Sequence, residues 1–420
     1  MGKPEILILT SAFPYLPGEY FFEDEIPYWE ATELFGEITI MPWSVEGIPR
    51  KTSERIKIDK PLHGRPPKWI RCLYCIQCLF YPFLYKEILW LAKEKKLTVR
   101  NLYRMLACAS GAIITYNRLR KFLRGKTGCM VYAYWNDAQA YGAALAKRAG
   151  LIDTLVSRAH GFDLYKARRP DSYMPLKRQF AGYFDTVFVL SGEAEGYMQK
   201  AYGIPPEALN IAPLGVPLPP RMSSPGDEGE VNIVSVAFCR PVKRMDKIIG
   251  AVAAFAGRNP SLRVNWQHIG GGALLDEIKE LARLRLTPFA NVTFDFHGTI
   301  PNGEVKAFYL QNKTDIFINT SESEGIPVSM IEAMAAGVPP LAPDVGGISD
   351  LVSNEFGILT GENPSVEEIA DAIGELMKKA RRLEIRQKAR ERVESRFNAA
   401  KNYPEFIKRL HALAAGKGGF

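Results

Sequence analysis

Short apolar runs recur along the whole chain, and stretches with helical periodicity separate them. Most of these runs are apolar at nearly every position, which is typical of strands buried on both faces of a parallel sheet. The predicted strands are, in the first half, Glu5–Thr10, Glu37–Trp43, Cys129–Trp135, Thr154–His160, Thr186–Ser191 and Leu209–Gly215, and, in the second half, Val231–Phe238, Arg263–Gly270, Asn291–Gly298, Asp315–Ser321, Pro339–Val345 and Phe356–Thr360. The end of the chain is predicted to be helical, at Ser365–Leu383, Glu384–Phe397 and Tyr403–Ala415.

The predicted strands fall into two sets of six, each interleaved with helices. This order predicts an α/β protein of two doubly wound, Rossmann-like domains. We place the first at residues 1–220 and the second at residues 230–399, because residues 217–229 are rich in Pro, Gly, Ser and charge and resemble a linker. Two such domains facing a central cleft would bind a ligand at the carboxyl ends of their strands. Enzymes and binding proteins share that geometry, so the fold does not fix the function.

Composition and charge narrow the class of protein. The 420 residues are 47% hydrophobic and 24% charged, which excludes a mostly disordered chain. The 54 Lys and Arg exceed the 46 Asp and Glu, giving a net charge of +8. Such an excess suits an anionic substrate, a phospholipid headgroup or a nucleic acid. Because the basic residues are scattered and no helix-turn-helix, zinc-finger or RNA-stacking motif occurs, we expect no nucleic acid partner.

The cysteines and the N-terminus bear on the compartment. Six cysteines are too few for a disulfide scaffold, which favours a cytoplasmic chain with free thiols. The N-terminus runs into a predicted strand and does not resemble a signal peptide.

Cys72, Cys75 and Cys78 are spaced like part of an iron–sulfur run. No fourth cysteine lies close by, so apolar packing on a helix is the preferred interpretation.

The segment around these cysteines also raises the question of a membrane. The charge-free apolar run Cys72–Tyr85 is about 14 residues long, against the roughly 20 that span a bilayer. Basic residues flank it: Arg65, Lys68, Arg71, Lys86, Lys93, Lys95 and Lys96. This pattern suits peripheral contact with the inner face of a membrane. Packing of residues 69–96 on their own domain is an equal alternative.

The segment Ser321–Met334 carries the strongest chemical signal. Gly325 permits a turn, and Pro327 stands where the first residue of a helix is expected. The free N–H groups of that helix would form an anion site, most naturally for a phosphate. Glu324 precedes the helix and Glu332 lies in its second turn. These two carboxylates can accept hydrogen bonds from two sets of hydroxyls on one ligand.

Further candidates also follow predicted strands. In the second half, Arg240, Lys243 and Arg244 precede a predicted helix and could bind an anion. Gly270 and Gly271 would allow a nucleotide to approach the backbone closely. In the first half, the candidates are Gly18, in the loop 17–25, and His160, at a strand end. Tyr134, Trp135 and Asn136 follow another strand and either line an acceptor or pack.

These residues together resemble the retaining glycosyltransferase family 4, which has the GT-B fold. Glu324 and Glu332 match its E-x7-E signature, and the resemblance is densest from Val231 to Leu359. Two positions depart from the family pattern: Phe238 stands where an Arg is usual, and Asp350 where a Glu is more usual. The resemblance also implies that the C-terminal helix, residues 400–420, packs back on the first domain.

The resemblance implies a role for each candidate. Glu324 would hold the donor sugar together with the loop Gly325, Ile326, Pro327 and Val328, and Glu332 would hold the nucleotide ribose. Lys243 would bind the diphosphate, with Arg240 or Arg244 in place of the missing Arg. His160 would lie beside the reacting sugar, and Gly18 near the phosphates.

The expected function is therefore sugar transfer from a UDP- or GDP-linked sugar to a hydroxyl of a glycan or lipid-linked glycan, with retention of configuration. The chain contains no Asp-x-Asp triplet, and its five histidines make no close pair, so we expect no metal and no other cofactor. Three alternatives stay open: a sugar-nucleotide epimerase, a phosphorylase, and a non-catalytic nucleotide-sugar-binding protein.

Overall fold

The computed structural model describes residues 3–16, 18–64, 66–126 and 128–416. The chain forms two compact units: residues 1–213 with 403–420, and residues 214–402. Pro17 and Arg65, which belong to two segments singled out from the sequence, lie outside the described residues.

The first unit is built on a seven-stranded sheet in which every neighbouring pair is parallel. Its strand order is β3-β2-β1-β4-β5-β6-β7. The strands are β1 (Glu5–Thr10), β2 (Ile38–Pro42), β3 (Ile56–Ile58), β4 (Cys129–Ala133), β5 (Thr154–Arg158), β6 (Thr186–Val189) and β7 (Leu209–Ile211). The sequence analysis missed β3, because three residues at the sheet edge are too few to show a periodicity.

Helices cover both faces of this sheet. They are α1 (Ile26–Ala31), α2 (Lys68–Cys78), α3 (Pro82–Lys93), α4 (Val99–Phe122), α5 (Ala138–Arg148), α6 (Gly161–Leu164), α7 (Lys177–Phe180) and α8 (Gly192–Tyr202). Alternate residues of β1 belong to different cores: Leu7 and Leu9 to one, Ile6 and Ile8 to the other. Burial on both faces explains why the strands are apolar at nearly every position.

The second unit repeats the plan with six parallel strands in the order β10-β9-β8-β11-β12-β13. They are β8 (Glu230–Val236), β9 (Arg263–Ile269), β10 (Val292–Phe296), β11 (Ile316–Ile318), β12 (Pro340–Pro343) and β13 (Ile358–Thr360). Its helices are α9 (Met245–Arg258), α10 (Leu275–Leu286), α11 (Asn302–Gln311), α12 (Val328–Ala335), α13 (Ile348–Leu351), α14 (Val366–Ala380) and α15 (Leu383–Arg396). The prediction of two doubly wound α/β sheets is confirmed.

The last helix, α16 (Ala399–Ala414), joins the first unit from Tyr403 onward. Phe406 packs edge-on against Tyr132 and Phe188, with ring centroids 5.3 and 5.0 Å away. The Arg158 guanidinium lies 3.9 Å from the centre of the Phe406 ring and pairs with Glu25 at 2.7 Å, in a fully buried ion pair. The C-terminal helix therefore packs in the core of the first unit that also contains Ile6 and Ile8, as the fold-class prediction had it.

The predicted linker is packed on the second unit. Ser223 N donates to the Ala336 carbonyl at 2.8 Å, and Gly226 N donates to Asp315 Oδ1 at 2.9 Å. A Cβ on Gly337 would lie 2.7 Å from the Met222 sulfur. Pro, Gly and Ser here mark an irregular segment with specific contacts, and composition alone does not distinguish it from a free linker.

Close packing of α4 on α5 depends on Gly142. A Cβ at this position would lie 2.4 Å from the Thr115 Cβ and 2.5 Å from the Ala112 carbonyl oxygen. Gly196, in α8, is the matched control, because a Cβ there meets nothing within 4 Å.

We predict that Gly142→Ala lowers the free energy of unfolding by about 1–3 kcal/mol through overpacking. Gly196→Ala should raise it by about 0.5–1 kcal/mol, because alanine favours a helix. Urea unfolding followed by circular dichroism measures both. Equal effects of the two substitutions would contradict the proposed packing.

Candidate functional site

The strongest candidates lie at the point where the strand order of the second sheet reverses. β8 and β11 are neighbours there, and both point the same way, so the loops after them meet at one edge. Ligands of open α/β sheets bind at such a point. Lys243 lies in the loop after β8, and Glu324 in the loop after β11.

Lys243 and Glu324 form an ion pair, with Nζ 2.6 Å from Oε1. Asn319 Nδ2 donates to the same oxygen at 3.2 Å. Burial acts to raise the pKa of Glu324, but the Lys243 charge and hydrogen bonds from Lys243, Ser321 and Asn319 outweigh it, so the pKa is lowered. Glu324 is therefore a fixed carboxylate, and Lys243 is a cation already held at this edge.

The backbone around Glu324 is fixed by two glycines further along the chain. Gly346 has a φ of 57°, and a Cβ there would lie 1.9 Å from the Glu324 carbonyl oxygen. Gly347 N donates to the Gly325 carbonyl at 3.0 Å. Gly346 is thus a left-handed glycine that approaches the Glu324 backbone, and the expected turn at Gly325 stays a prediction.

Helix α12 begins directly after this loop. Pro327 is its N-cap, one position earlier than expected, and Val328 is its first helical residue. Ile326 is buried, so the loop is anchored by an apolar side chain. Glu332, in the second turn, is also buried and accepts a hydrogen bond from Asn302 Nδ2 at 2.7 Å.

The two arginine candidates differ in their surroundings. Arg244 contacts Glu322 at 2.8 Å and Asp246 at 3.0 Å, so two carboxylates already compensate its charge. Arg240 is exposed and lies over the ring of Phe238, 5.7 Å from its centre. Phe238 stands where the family pattern has an Arg, and its ring lies under the guanidinium of Arg240.

Gly270 and Gly271 have a packing role. A Cβ on Gly270 would lie 1.8 Å from the Ala237 carbonyl oxygen, and one on Gly271 would lie 2.3 Å from Thr299 Oγ1. Cys239 N donates to the Gly271 carbonyl at 2.6 Å. These glycines let the loops after neighbouring strands meet, and their contact with a nucleotide stays a prediction.

In the first unit, the loop after β1 is organised by a carboxylate that the sequence analysis did not single out. Glu19 accepts hydrogen bonds from the backbone N–H groups of residues 11, 12 and 13 and from Trp135 Nε1 at 3.0 Å. Gly18 is needed for packing, since its Cβ would lie 2.5 Å from the Ala12 Cβ. Its N–H donates to the Tyr15 carbonyl at 3.0 Å. A role of Gly18 in phosphate binding stays a prediction.

His160 follows β5 and is buried among aromatic rings. Its ring centre lies 4.7 Å from that of Trp135, 5.0 Å from Tyr134 and 5.3 Å from Phe21. Burial, and then the Arg158 charge, hold its pKa well below the usual range, so the imidazole is neutral. Neither ring nitrogen has a hydrogen-bond partner among the described residues.

Asn136 belongs to a buried polar cluster beside this site. Lys177 Nζ donates to Asn136 Oδ1 at 2.6 Å, and Asn136 N donates to Asp163 Oδ2 at 2.6 Å. Burial lowers the pKa of Lys177 to about 8 and raises that of Asp137 to about 6. Of the two interpretations left open for Asn136, packing therefore has direct structural support.

The remaining candidates are the cysteines and the residue types that could bind a metal. Among the described residues, no group of three or more His, Cys, Asp and Glu is placed to hold a metal ion. Cys72 is exposed and Cys78 buried, because a spacing of three turns successive side chains around the helix. The packing interpretation therefore fits Cys78 and is wrong for Cys72.

The chain is similar to several known glycosyltransferases. Residues 221–396 match the family model described as Glycosyl transferases group 1. A GDP-mannose-dependent alpha-(1-6)-phosphatidylinositol monomannoside mannosyltransferase of Mycobacterium tuberculosis is 26% identical over 262 residues, covering 58% of this chain and 66% of that protein, just under two thirds of its length. The putative colanic acid biosynthesis glycosyltransferase WcaL of Escherichia coli K12 is 26% identical over 298 residues, 67% of this chain and 70% of that protein.

A solved structure covers more of the chain. Anabaena HepE in complex with UDP and glucose has a TM-score of 0.65 and 17% identity, over 97% of this chain and 99% of that one. A likeness at this identity shows the fold alone. The chain thus has the GT-B fold predicted from its sequence, and the match of residues 221–396 supports a glycosyltransferase.

The Lys243–Glu324 pair predicts a pH-dependent cost of removing its cation. In the wild type, the lowered pKa of Glu324 means that the stabilisation is present above the ordinary pKa of 4.5 and is lost as the pH falls through the lowered value. In Lys243→Met the carboxylate stays buried without this cation. The free energy of unfolding should then fall by about 1–3 kcal/mol at pH 7.5, and by less at pH about 4.5, where Glu324 can take up a proton.

Urea midpoints at the two pH values test this prediction. The double variant Lys243→Met/Glu324→Gln is the control, because it removes the charge and should recover part of the loss at pH 7.5. An equal loss at both pH values would contradict the electrostatic explanation.

Proposed function

We propose that this chain is a retaining, metal-independent glycosyltransferase. It transfers a sugar from a nucleotide-diphosphate sugar to a hydroxyl of a glycan or lipid-linked glycan. The observation that carries the proposal is the Lys243–Glu324 pair at the reversal of strand order, beside the first turn of α12. A fixed cation, free helix N–H groups and a buried carboxylate are suited to a diphosphate joined to a sugar.

The pair suggests how the donor is taken up. Without a ligand, Glu324 compensates the Lys243 charge at 2.6 Å. A bound diphosphate would attract Lys243, and Glu324 would then accept hydrogen bonds from sugar hydroxyls. Glu332, buried in the second turn of α12, would accept from the ribose hydroxyls.

Transfer follows a front-side course in this proposal. The bond between the anomeric carbon and the diphosphate oxygen breaks with both electrons going to the oxygen. The acceptor hydroxyl oxygen bonds to the same face of that carbon, and its proton passes to the departing diphosphate. Lys243 and the N-terminus of α12 stabilise the charge that develops on the diphosphate, which is the largest electrostatic change of the step.

His160 has a positioning role in this scheme. Its imidazole is buried and neutral, so it can exchange hydrogen bonds with a sugar without adding a charge. A cation beside an electron-poor anomeric carbon would oppose the transition state.

Similar proteins suggest the range of substrates. The mycobacterial relative is named for GDP-mannose and a phosphatidylinositol mannoside, and the HepE structure contains UDP and glucose. Both kinds of donor are therefore included in the test below. The name of WcaL, colanic acid biosynthesis, agrees with a role in building a polysaccharide.

Thermal unfolding with UDP, GDP and ADP, each in EDTA and in magnesium, tests the nucleotide site. We expect one of them to stabilise the protein in EDTA, by about 2.7 kcal/mol at roughly 100 times its dissociation constant. Lys243→Met should abolish the shift, whereas Lys378→Ala, an exposed lysine of the same unit, should keep it. A shift that appears only with magnesium would refute metal independence, and no shift in either condition would refute the site.

The surroundings of the two arginines give a separate prediction for the phosphate. Arg240→Ala should weaken binding of the stabilising nucleotide about tenfold or more, because a charge-assisted hydrogen bond is worth about 1.5–3 kcal/mol. Arg244→Ala should change it by less than about threefold, since Glu322 and Asp246 already compensate that arginine. Isothermal titration measures both, and the reverse order would assign the phosphate contact to Arg244.

A further inference from the structure

Exposed apolar side chains are concentrated in one part of the first unit. Ten of the sixteen large hydrophobic side chains that are exposed in the described part of the chain lie between Trp69 and Tyr103. This stretch contains α2, α3 and the start of α4. Single exposed hydrophobic residues need no explanation, whereas a contiguous group marks an interaction surface.

Helix α2 carries the core of this group, which we call the α2 face: Trp69, Leu73, Ile76 and Phe80. The four residues recur every three or four positions and therefore share one side of the helix and its continuation. They are 66%, 54%, 55% and 81% exposed.

The other side of α2 faces the protein. Cys78 is buried in the core that also contains Leu7 and Leu9, and Tyr74 packs against that core. The Asn117 amide of α4 donates to Gln77 Oε1 at 3.3 Å. Helix α2 is thus a docked amphipathic helix whose apolar α2 face points away from its own domain.

The segment of sequence that contains the α2 face carries charge of one sign. Between Asp59 and Glu87 the sequence has no acidic residue, but it has five basic ones: Lys60, Arg65, Lys68, Arg71 and Lys86. Glu87 is itself buried and accepts from Tyr173 Oη at 2.8 Å. Lys68, Arg71 and Lys86 are exposed.

We propose that α2 lies on the surface of an anionic phospholipid bilayer, with the α2 face at the boundary of headgroups and acyl chains. Eleven helical residues are about 16 Å long, which suits a helix lying in the interface. The basic residues would contact anionic headgroups. A second copy fits less well, because a symmetric interface would bring Lys68 and Arg71 close to their own copies.

Helix α2 also borders a cavity of about 480 Å³ in the first unit. Arg71 of α2 and Tyr103 of α4 line it, together with Asp137 and Gln139. A lipid-linked acceptor held in the bilayer would present its polar end beside this cavity. That consequence rests on the proposed function, whereas the bilayer contact does not.

Sedimentation with vesicles tests the bilayer contact without any nucleotide. Vesicles of phosphatidylcholine alone are compared with vesicles that contain phosphatidylglycerol as well. We expect strong binding to the anionic vesicles, weak binding to the neutral ones, and a loss of binding at high salt.

Two variants and a matched control locate the contact. Trp69→Ser/Phe80→Ser should lower the partition coefficient about tenfold or more, and so should Lys68→Gln/Lys86→Gln. Leu284→Ser, on α10, is the control, because Leu284 is 65% exposed and lies outside the stretch. It should bind like the wild type.

Three outcomes would overturn the proposal: no binding of the wild type to anionic vesicles, equal binding of the Trp69/Phe80 variant, or a dimer in solution that this variant abolishes. A cooperative thermal transition without nucleotide, at the wild-type midpoint, shows that each variant is folded. Vesicle binding of the wild type does not depend on a nucleotide shift, so a failure of this proposal and a failure of the proposed function are distinguishable.

Discussion

The parallel arrangement of all strands is the constraint on which the site depends. In a parallel sheet every carboxyl end lies at the same edge, so loops far apart in sequence meet there. Lys243 and Glu324 are 81 residues apart, and they pair at 2.6 Å because β8 and β11 are neighbours. The same constraint brings Glu19, after β1, to Trp135, after β4. Each sheet thus assembles a polar group where its strand order reverses.

In each of these two polar groups, a carboxylate of the protein itself accepts the hydrogen bonds. Glu19 takes the N–H groups that follow β1, and Glu324 takes the ammonium of Lys243. These donors are therefore satisfied within the protein itself, which avoids the cost of unpaired buried polar groups. In the proposed function, a diphosphate would compete with Glu324 for the charge of Lys243.

Much of the fold and of the second-unit site could be predicted from sequence, because the signals were local. Buried parallel strands show as apolar runs, and Glu324 and Glu332 flank the start of one helix. The rest depends on tertiary contacts. Gly346 adopts the left-handed conformation where it approaches the Glu324 backbone, a contact between loops that no local pattern reveals. The role of Glu19 depends on N–H groups six to eight residues away in a loop, which no periodicity reveals.

The match to the family model and the exposed apolar surface lie in different units. The match to Glycosyl transferases group 1 covers residues 221–396, which lie wholly within the second unit and include Lys243, Glu324 and Glu332. The stretch from Trp69 to Tyr103 lies outside it, in the first unit, and carries ten of the sixteen exposed large hydrophobic side chains of the described residues. Donor chemistry needs fixed charges and buried carboxylates, whereas an amphipathic surface needs only a docked helix. If the proposed function holds, the first unit is where contacts with an acceptor are to be sought, because it carries both the α2 face and the cavity that Arg71 lines.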